Sequence, residues 1–149
     1  MTIFRVLIIF IFCAFLGACE ERTGYYDESQ KDIIARLTGT EWFMYYAHTP
    51  GFQPESFEDE GWIYIFDANG KGKRTWWKKH PEEKIETEYF QWTFTTDNFA
   101  VIYIGGNIER FWLINELTST SLIVQDAIED PVLYPNTSQR LCKFIPVEY

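Results

Sequence analysis

The sequence predicts a mainly β protein, with eight antiparallel strands in a meander that closes into a β-barrel after one short helix. Eight short segments are rich in aromatic and β-branched residues, and Gly, Pro, Asn and Asp mark the turns between them. Most of these turns are only two to five residues long, and connections of that length join antiparallel neighbours. Closure into a barrel removes the two sheet edges that a flat meander would expose. A two-sheet sandwich is the alternative architecture.

A helix of about three turns is predicted ahead of the first strand. Residues 27–30 (Asp-Glu-Ser-Gln) offer capping side chains and early negative charge for a helix start. Ile33, Ile34 and Leu37 form a small apolar face. Gly39 can end the helix, because glycine readily adopts the left-handed conformation that follows a helix end.

Alternation and turn chemistry define the strands. In residues 86–95, Phe90, Trp92 and Phe94 share one face of the strand. Asn69-Gly70 predicts a tight hairpin turn, because both residues tolerate a positive φ. The predicted strands are residues 41–46, 62–66, 73–79, 86–95, 99–104, 108–117, 121–125 and 138–146.

The start of the chain predicts export and lipidation. One Arg precedes an apolar run that ends in small residues just before Cys19. The run is of signal-peptide length and is too short for a membrane span, which needs about 17–25 residues. Residues 16–19 (Leu-Gly-Ala-Cys) resemble the lipobox of bacterial lipoproteins, which implies cleavage before Cys19 and a diacylglycerol on its sulfur. The expected segments are a signal peptide (1–18), a tether (19–26) and a barrel domain (27–149).

Composition limits the possible partners and cross-links. The chain has a net charge of −9, and the loss of Arg5 with the signal peptide makes the net charge of the mature protein −10. Nucleic-acid binding needs clustered Lys and Arg, so this acidity argues against a nucleic-acid partner. Cys13 leaves with the signal peptide and Cys19 carries lipid, so Cys142 has no intrachain disulfide partner. We expect Cys142 to be a small buried apolar residue.

Four stretches spread over most of the mature chain indicate a family. They are residues 37–42 (LTGTEW), 65–72 (IFDANGKG), 90–93 (FQWT) and 117–122 (LTSTSL). Their order and spacing resemble the lipocalin-like lipoproteins of Bacteroides-type bacteria. The resemblance implies a lipocalin-like β-barrel that binds a ligand rather than catalysing a reaction. It also implies structural roles for Trp42 and for Arg140, whose guanidinium would pack across the Trp42 ring.

No sequence pattern predicts an active site, a cofactor or a metal. His48 and His80 lie far apart, and neither has a Cys or a second His at zinc-ligand spacing. The chain contains no Gly-x-Ser-x-Gly motif. Residues 67–70 resemble the opening of a calcium loop, but Lys71 and Lys78 stand at ligand positions and exclude an EF-hand. We therefore expect a protein that is not an enzyme and that has no cofactor.

Aromatic side chains on the predicted strands are the first candidates for ligand binding. Either they fill the core, or they line a cup that suits an apolar ligand or a stacked sugar. The abundance of Trp relative to Leu favours the cup. These candidates are Trp62, Tyr64, Trp92, Tyr103 and Trp112.

The third predicted strand adds two more candidates. Residues 71–79 carry five basic residues, and alternation places Trp76 and Trp77 on opposite faces. Either this is an edge or solvent-facing strand that Lys protects from pairing, or it is a binding patch. In such a patch, Trp would stack while Lys or Arg pairs with an anionic group on a glycan or lipid.

The sequence therefore supports two functional hypotheses. The first is a lipid-anchored, non-catalytic cell-envelope protein whose barrel binds a small apolar or glycan-like ligand. The alternative is an accessory or inhibitory lipoprotein whose outer barrel surface docks an envelope protein partner. The lipid would hold either protein on the outer membrane, and Glu20-Glu21 weakly favours the surface over the periplasmic face.

Overall fold

The computed structural model describes residues 26–148. The predicted signal peptide, the lipidation site Cys19 and almost all of the predicted tether lie outside the described residues. Contacts divide the chain into two units, Met1–Lys31 and Asp32–Tyr149. None of the described helices is long and apolar enough to cross a membrane.

The described part of the first unit is the start of helix α1, which spans Glu28–Thr38. The Asp27 carboxylate accepts hydrogen bonds from the Ser29 hydroxyl at 2.6 Å and from the Gln30 backbone N–H at 2.8 Å. These hydrogen bonds lower the pKa of Asp27 below its ordinary value. The predicted capping segment is therefore confirmed. The helix ends at Thr38, one residue before Gly39 as the sequence predicted.

The second unit is a closed antiparallel β-barrel. Its strands are β1 (Trp42–His48), β2 (Glu55–Ser56), β3 (Glu60–Phe66), β4 (Lys71–Lys78), β5 (Glu83–Phe94), β6 (Val101–Ile104), β7 (Arg110–Leu117), β8 (Leu122–Ala127) and β9 (Gln139–Pro146). Strands β1 and β3 to β9 pair in chain order, and β9 pairs back with β1. The predicted eight-stranded barrel is thus confirmed, and the sandwich is not observed.

Strand β2 is an addition that the sequence did not predict. It has two exposed residues, Glu55 and Ser56, which pair with Ala47 and Tyr46 of β1. This segment lies in a loop rich in Pro, Gly and acidic residues, and two residues are too few to show alternation. Its pairing therefore depends on the position of β1 rather than on its own sequence.

The interior of the barrel is an aromatic core. Phe90 and Trp92 point inward from β5 and are buried, and Phe94 packs against the same cluster, as alternation predicted. The predicted hairpin turn is also confirmed: Gly70 has a φ of 83°, and its N–H donates to the Asp67 carbonyl at 3.1 Å. One end of the core is closed by Leu37 and Trp42, where the Trp42 indole N–H donates to the Leu37 carbonyl at 3.1 Å.

Candidate functional site

The inner face of the barrel changes from apolar to polar toward the end that lies opposite Trp42. In the register, Trp42 is next to Pro146 at the end of β9, whereas Arg140 near the start of β9 is next to Asp126. We call the inward residues at this second end the mouth. The three arginine–carboxylate pairs and two tryptophans that form it are Glu55, Trp62, Arg74, Trp76, Glu88, Arg110, Asp126 and Arg140. Glu60, Lys78 and Glu86 have the same facing in the register.

Three arginine–carboxylate pairs line the mouth. Arg110 binds Asp126 with two hydrogen bonds, from Nε to Oδ1 at 2.8 Å and from Nη2 to Oδ2 at 2.9 Å. The Asp126 residue is only 8% exposed, and its hydrogen bonds raise the pKa of Arg110 above the ordinary value. The other two pairs are Arg74 with Glu88 and Arg140 with Glu55. The mouth therefore contains as many paired cations as paired anions.

Two tryptophans stand beside these pairs. The Arg74 guanidinium carbon lies 4.3 Å from the centroid of the Trp62 ring, and Arg74 Nη1 also donates to the Tyr64 hydroxyl at 3.2 Å. Trp62 and Trp76 face each other across β3 and β4, with ring centroids 5.3 Å apart in an edge-to-face arrangement. Both rings are only half-buried. They are the partly accessible aromatic surface of the mouth.

Three other predicted ligand-binding residues form the core beneath the mouth. Trp112 is 4.9 Å from Tyr64 and 5.1 Å from Phe144, measured between ring centroids. The Trp92 indole N–H donates to the carbonyl groups of Asp67 and Lys71, at 3.0 and 2.9 Å. Trp92 and Trp112 therefore fill the core and do not line a cup. The Tyr64 ring also packs in the core, but its hydroxyl group contacts Arg74 in the mouth.

The remaining two predicted residues point away from the barrel interior. Trp77 is opposite Gly61 on the outer face and packs edge-to-face against Phe43, with ring centroids 5.7 Å apart. Tyr103 packs against Phe111 at 4.9 Å and lines an outer cavity of about 400 Å³. Neither residue belongs to the mouth.

Two structural expectations are corrected by the register. Arg140 does not pack across Trp42, because the two residues lie at opposite ends of the β1–β9 pair and the Arg140 guanidinium binds Glu55. The β4 strand is not an edge strand, because it pairs with β3 on one side and with β5 on the other. Of its two tryptophans, Trp76 points inward and Trp77 is buried in an outer cluster with Phe43.

Neither a reactive cysteine nor a metal site is found among residues 26–148. Cys142 is free and buried, as predicted, and burial raises the pKa of its thiol to about 12. Burial therefore suppresses the reactive thiolate form. Among residues 26–148, no three His, Cys, Asp or Glu residues are grouped closely enough to hold a metal ion.

The three arginine–carboxylate pairs of the mouth were missed by sequence reasoning, although the pattern contained a signal. Arg110 is two residues from the inward Trp112, and Asp126 is two residues from the inward Val124. Arg140 has the same spacing to Cys142. Charged residues in phase with a buried face would have indicated polar groups inside the barrel.

No protein-family model matches the chain, and no curated protein matches it significantly. The function of the protein is therefore inferred from the barrel and from the geometry of its mouth.

Trp77 and Trp92 provide a matched pair for stability measurements. The buried Trp77 indole N–H has no hydrogen-bond partner within the described chain, so Trp77→Phe should lose packing volume but no hydrogen bond. Trp92→Phe loses a similar volume and also the donor of two carbonyl groups, and should therefore cost about 1–3 kcal/mol more than Trp77→Phe. Urea unfolding of both variants measures the difference. Equal costs would contradict the hydrogen-bond assignments.

The buried Tyr64 and Cys142 predict loss of stability at alkaline pH. Burial raises both pKa values to about 12, from ordinary values of 10.0 and 9.0. The unfolded chain therefore releases these protons first, and the stability that both groups contribute below pH 9 falls as the pH rises toward 12. The urea midpoint should decrease over this range, and less steeply in Cys142→Ala. A midpoint that does not change with pH would contradict this burial.

Proposed function

We propose that this protein is a lipid-anchored, non-catalytic lipoprotein of the cell envelope whose barrel binds a small ligand at its mouth. The observation that carries the proposal is the pair of half-buried tryptophans, Trp62 and Trp76, beside three inward arginine–carboxylate pairs. Small-molecule sites typically combine apolar or aromatic walls with a few fixed polar groups. The mouth has this composition.

The arginine partners of the carboxylates in the mouth favour a binding site over a catalytic site. Glu55, Glu88 and Asp126 each accept a hydrogen bond from an arginine. A general acid or base must lie within hydrogen-bond reach of the proton that it transfers, whereas these carboxylate oxygens already face an arginine. These carboxylates are therefore suited to holding arginines in place for recognition.

The membrane anchor is the part of the proposal that depends on the sequence alone. The lipobox-like residues 16–19 support lipidation of Cys19 and placement on the outer membrane. Mass spectrometry of the membrane-extracted protein should show an N-terminal Cys19 that carries diacylglycerol. A Cys19→Ala variant should appear in the soluble fraction. An unmodified wild-type protein would contradict the anchor.

Ligand binding can be tested with a thermal-shift screen of lipids and glycans. A ligand of the mouth should raise the Tm of the wild-type protein by mass action. It should raise the Tm of Trp76→Ala much less, because Trp76 forms part of the binding surface. Tyr89→Ala is the matched control, since Tyr89 is an outward residue of β5 that is 75% exposed. Hits that stabilise Trp76→Ala as much as the wild type would contradict a site at the mouth.

Docking of a protein partner is the second candidate function. Loop 128–138 and loop 49–54 lie at the same end of the barrel as the mouth, because β8 and β1 both end there. These loops expose large apolar side chains, and exposed apolar patches favour protein contacts. The residues are Phe52, Ile128, Val132, Leu133 and Tyr134. If the loops dock a partner, Leu133→Asp should abolish partner binding. If the mouth binds a small ligand, Leu133→Asp should leave the ligand-induced rise in Tm unchanged.

A further inference from the structure

We infer that the ligand of the mouth is a neutral, polyhydroxylated molecule such as an oligosaccharide, an inference that rests on the proposed function. Each arginine of the mouth already has a carboxylate partner: Arg74 has Glu88, Arg110 has Asp126 and Arg140 has Glu55. The charges within these three pairs balance, and a ligand with net charge would upset this balance, most of all at the buried Arg110–Asp126 pair.

An anionic ligand would bring its charge close to an existing carboxylate at every arginine, or would have to displace that carboxylate. Asp126 is the most protected of the three, with a side chain that is 11% exposed and two hydrogen bonds to Arg110. Displacing it would leave a buried carboxylate without its partner, which is unfavourable. A cationic ligand would likewise bring its charge close to an arginine at every carboxylate, or would have to displace that arginine. The arginine–carboxylate pairs therefore disfavour both anionic and cationic ligands.

Hydroxyl groups suit the paired side chains without displacing them. A hydroxyl both donates and accepts, whereas an arginine only donates and a carboxylate only accepts. The guanidinium of Arg110 uses Nε and Nη2 on Asp126, so N–H groups on Nη1 are left for a ligand oxygen. The carboxylate oxygens have further lone pairs. A polyhydroxylated ligand can thus bind across a pair and use both of its members.

The tryptophans provide the apolar component that a sugar ring needs. Trp62 and Trp76 are half-buried, and their rings meet edge to face, so they present surfaces in two orientations. The apolar C–H face of a sugar ring can stack on such a surface while its hydroxyl groups contact the arginine–carboxylate pairs. Arg74 fixes the Trp62 ring from one side at 4.3 Å, which keeps the surface ordered in the free protein.

The packing beneath the mouth disfavours a long acyl chain. Tyr64, Trp112 and Phe144 contact one another, with ring centroids 4.9, 5.1 and 5.6 Å apart. An acyl chain that entered the barrel would have to displace these rings, and close-packed cores resist added volume. A ligand that stays at the level of Trp62 and Trp76 avoids this cost.

Isothermal titration calorimetry can test the ligand class with defined probes. The probes are maltohexaose, cellohexaose, xylohexaose and mannohexaose as neutral sugars, with hexagalacturonate and palmitate as anions. At least one neutral sugar should bind the wild type and Tyr89→Ala equally, and Trp76→Ala should weaken this binding about tenfold or more. The Kd should change less than about twofold between 50 and 500 mM NaCl, because salt screens interactions between net charges.

The other possible outcomes separate a failure of the inference from a failure of the proposed function. Binding of only hexagalacturonate or palmitate, with a loss in Trp76→Ala, overturns the inference and leaves the proposed function standing. Neutral-sugar binding that Trp76→Ala does not change places the site elsewhere and overturns both. Binding of none of the six probes overturns the inference, and the lipid and glycan screen then decides the proposed function. If Trp76→Ala does not fold, changes at the wild-type Trp62 and Trp76 indole N–H signals replace it as the readout.

Discussion

Truncation of Trp112 to Ala is expected to lower the free energy of unfolding by about 3–5 kcal/mol, the cost typical of removing a buried aromatic side chain. Trp112 is 3% exposed and contacts Tyr64, Phe66 and Phe144. Its removal leaves a cavity among rings that cannot easily collapse into it. Equilibrium unfolding in urea measures the loss directly.

Tyr89→Ala is the control for this prediction. Tyr89 is also an aromatic residue on a strand of the barrel, but it is exposed, so its removal should change stability by about 0.5 kcal/mol or less. If Trp112→Ala cost no more than Tyr89→Ala while ligand binding disappeared, Trp112 would be a binding residue in an open cup. That result would contradict the filled core on which the location of the site depends.

Replacement of Arg110 by Met is expected to cost about 3 kcal/mol at neutral pH. The variant removes both hydrogen bonds to Asp126 and leaves its buried carboxylate without a counter-charge. Equilibrium unfolding in urea at neutral pH measures the loss.

Two further variants control for the Arg110 prediction. Arg110→Met with Asp126→Leu should recover much of the lost stability, because replacing both members of a buried pair by apolar residues is often nearly neutral. Arg36→Met removes the exposed Arg36–Asp32 pair of α1 and should cost about 1 kcal/mol or less. If Arg110→Met cost no more than Arg36→Met, the polar mouth would be solvated and not part of the folded core.

The strands were predictable because their signals are local. Alternation in 86–95 places Phe90, Trp92 and Phe94 on one face, and the structure has all three on the inner face. The turn at Asn69-Gly70 is likewise a local feature, although only Gly70 of the two residues takes a positive φ. Short connections indicated a meander, and closure into a barrel was inferred because a flat meander would leave two exposed sheet edges.

The mouth could not be predicted in full because it depends on register between distant strands. Arg110 and Asp126 are 16 residues apart, and Arg140 and Glu55 are 85 residues apart. Alternation showed that Trp76 and Trp77 face opposite sides, but not which of them points inward. The Trp76–Trp62 pairing across β3 and β4 decides this, and no local property of the sequence reveals that pairing.

The indole N–H signals of the wild-type protein, recorded by 15N–1H NMR with and without a hit from the lipid and glycan screen, test the central claim most directly. Trp→Phe variants assign each signal to its residue. The proposed site predicts large shifts for Trp62 and Trp76, and small shifts for Trp77 on the outer face and for Trp92 in the core. Shifts confined to Trp77, with Trp62 and Trp76 unchanged, would contradict ligand binding at the mouth of the barrel.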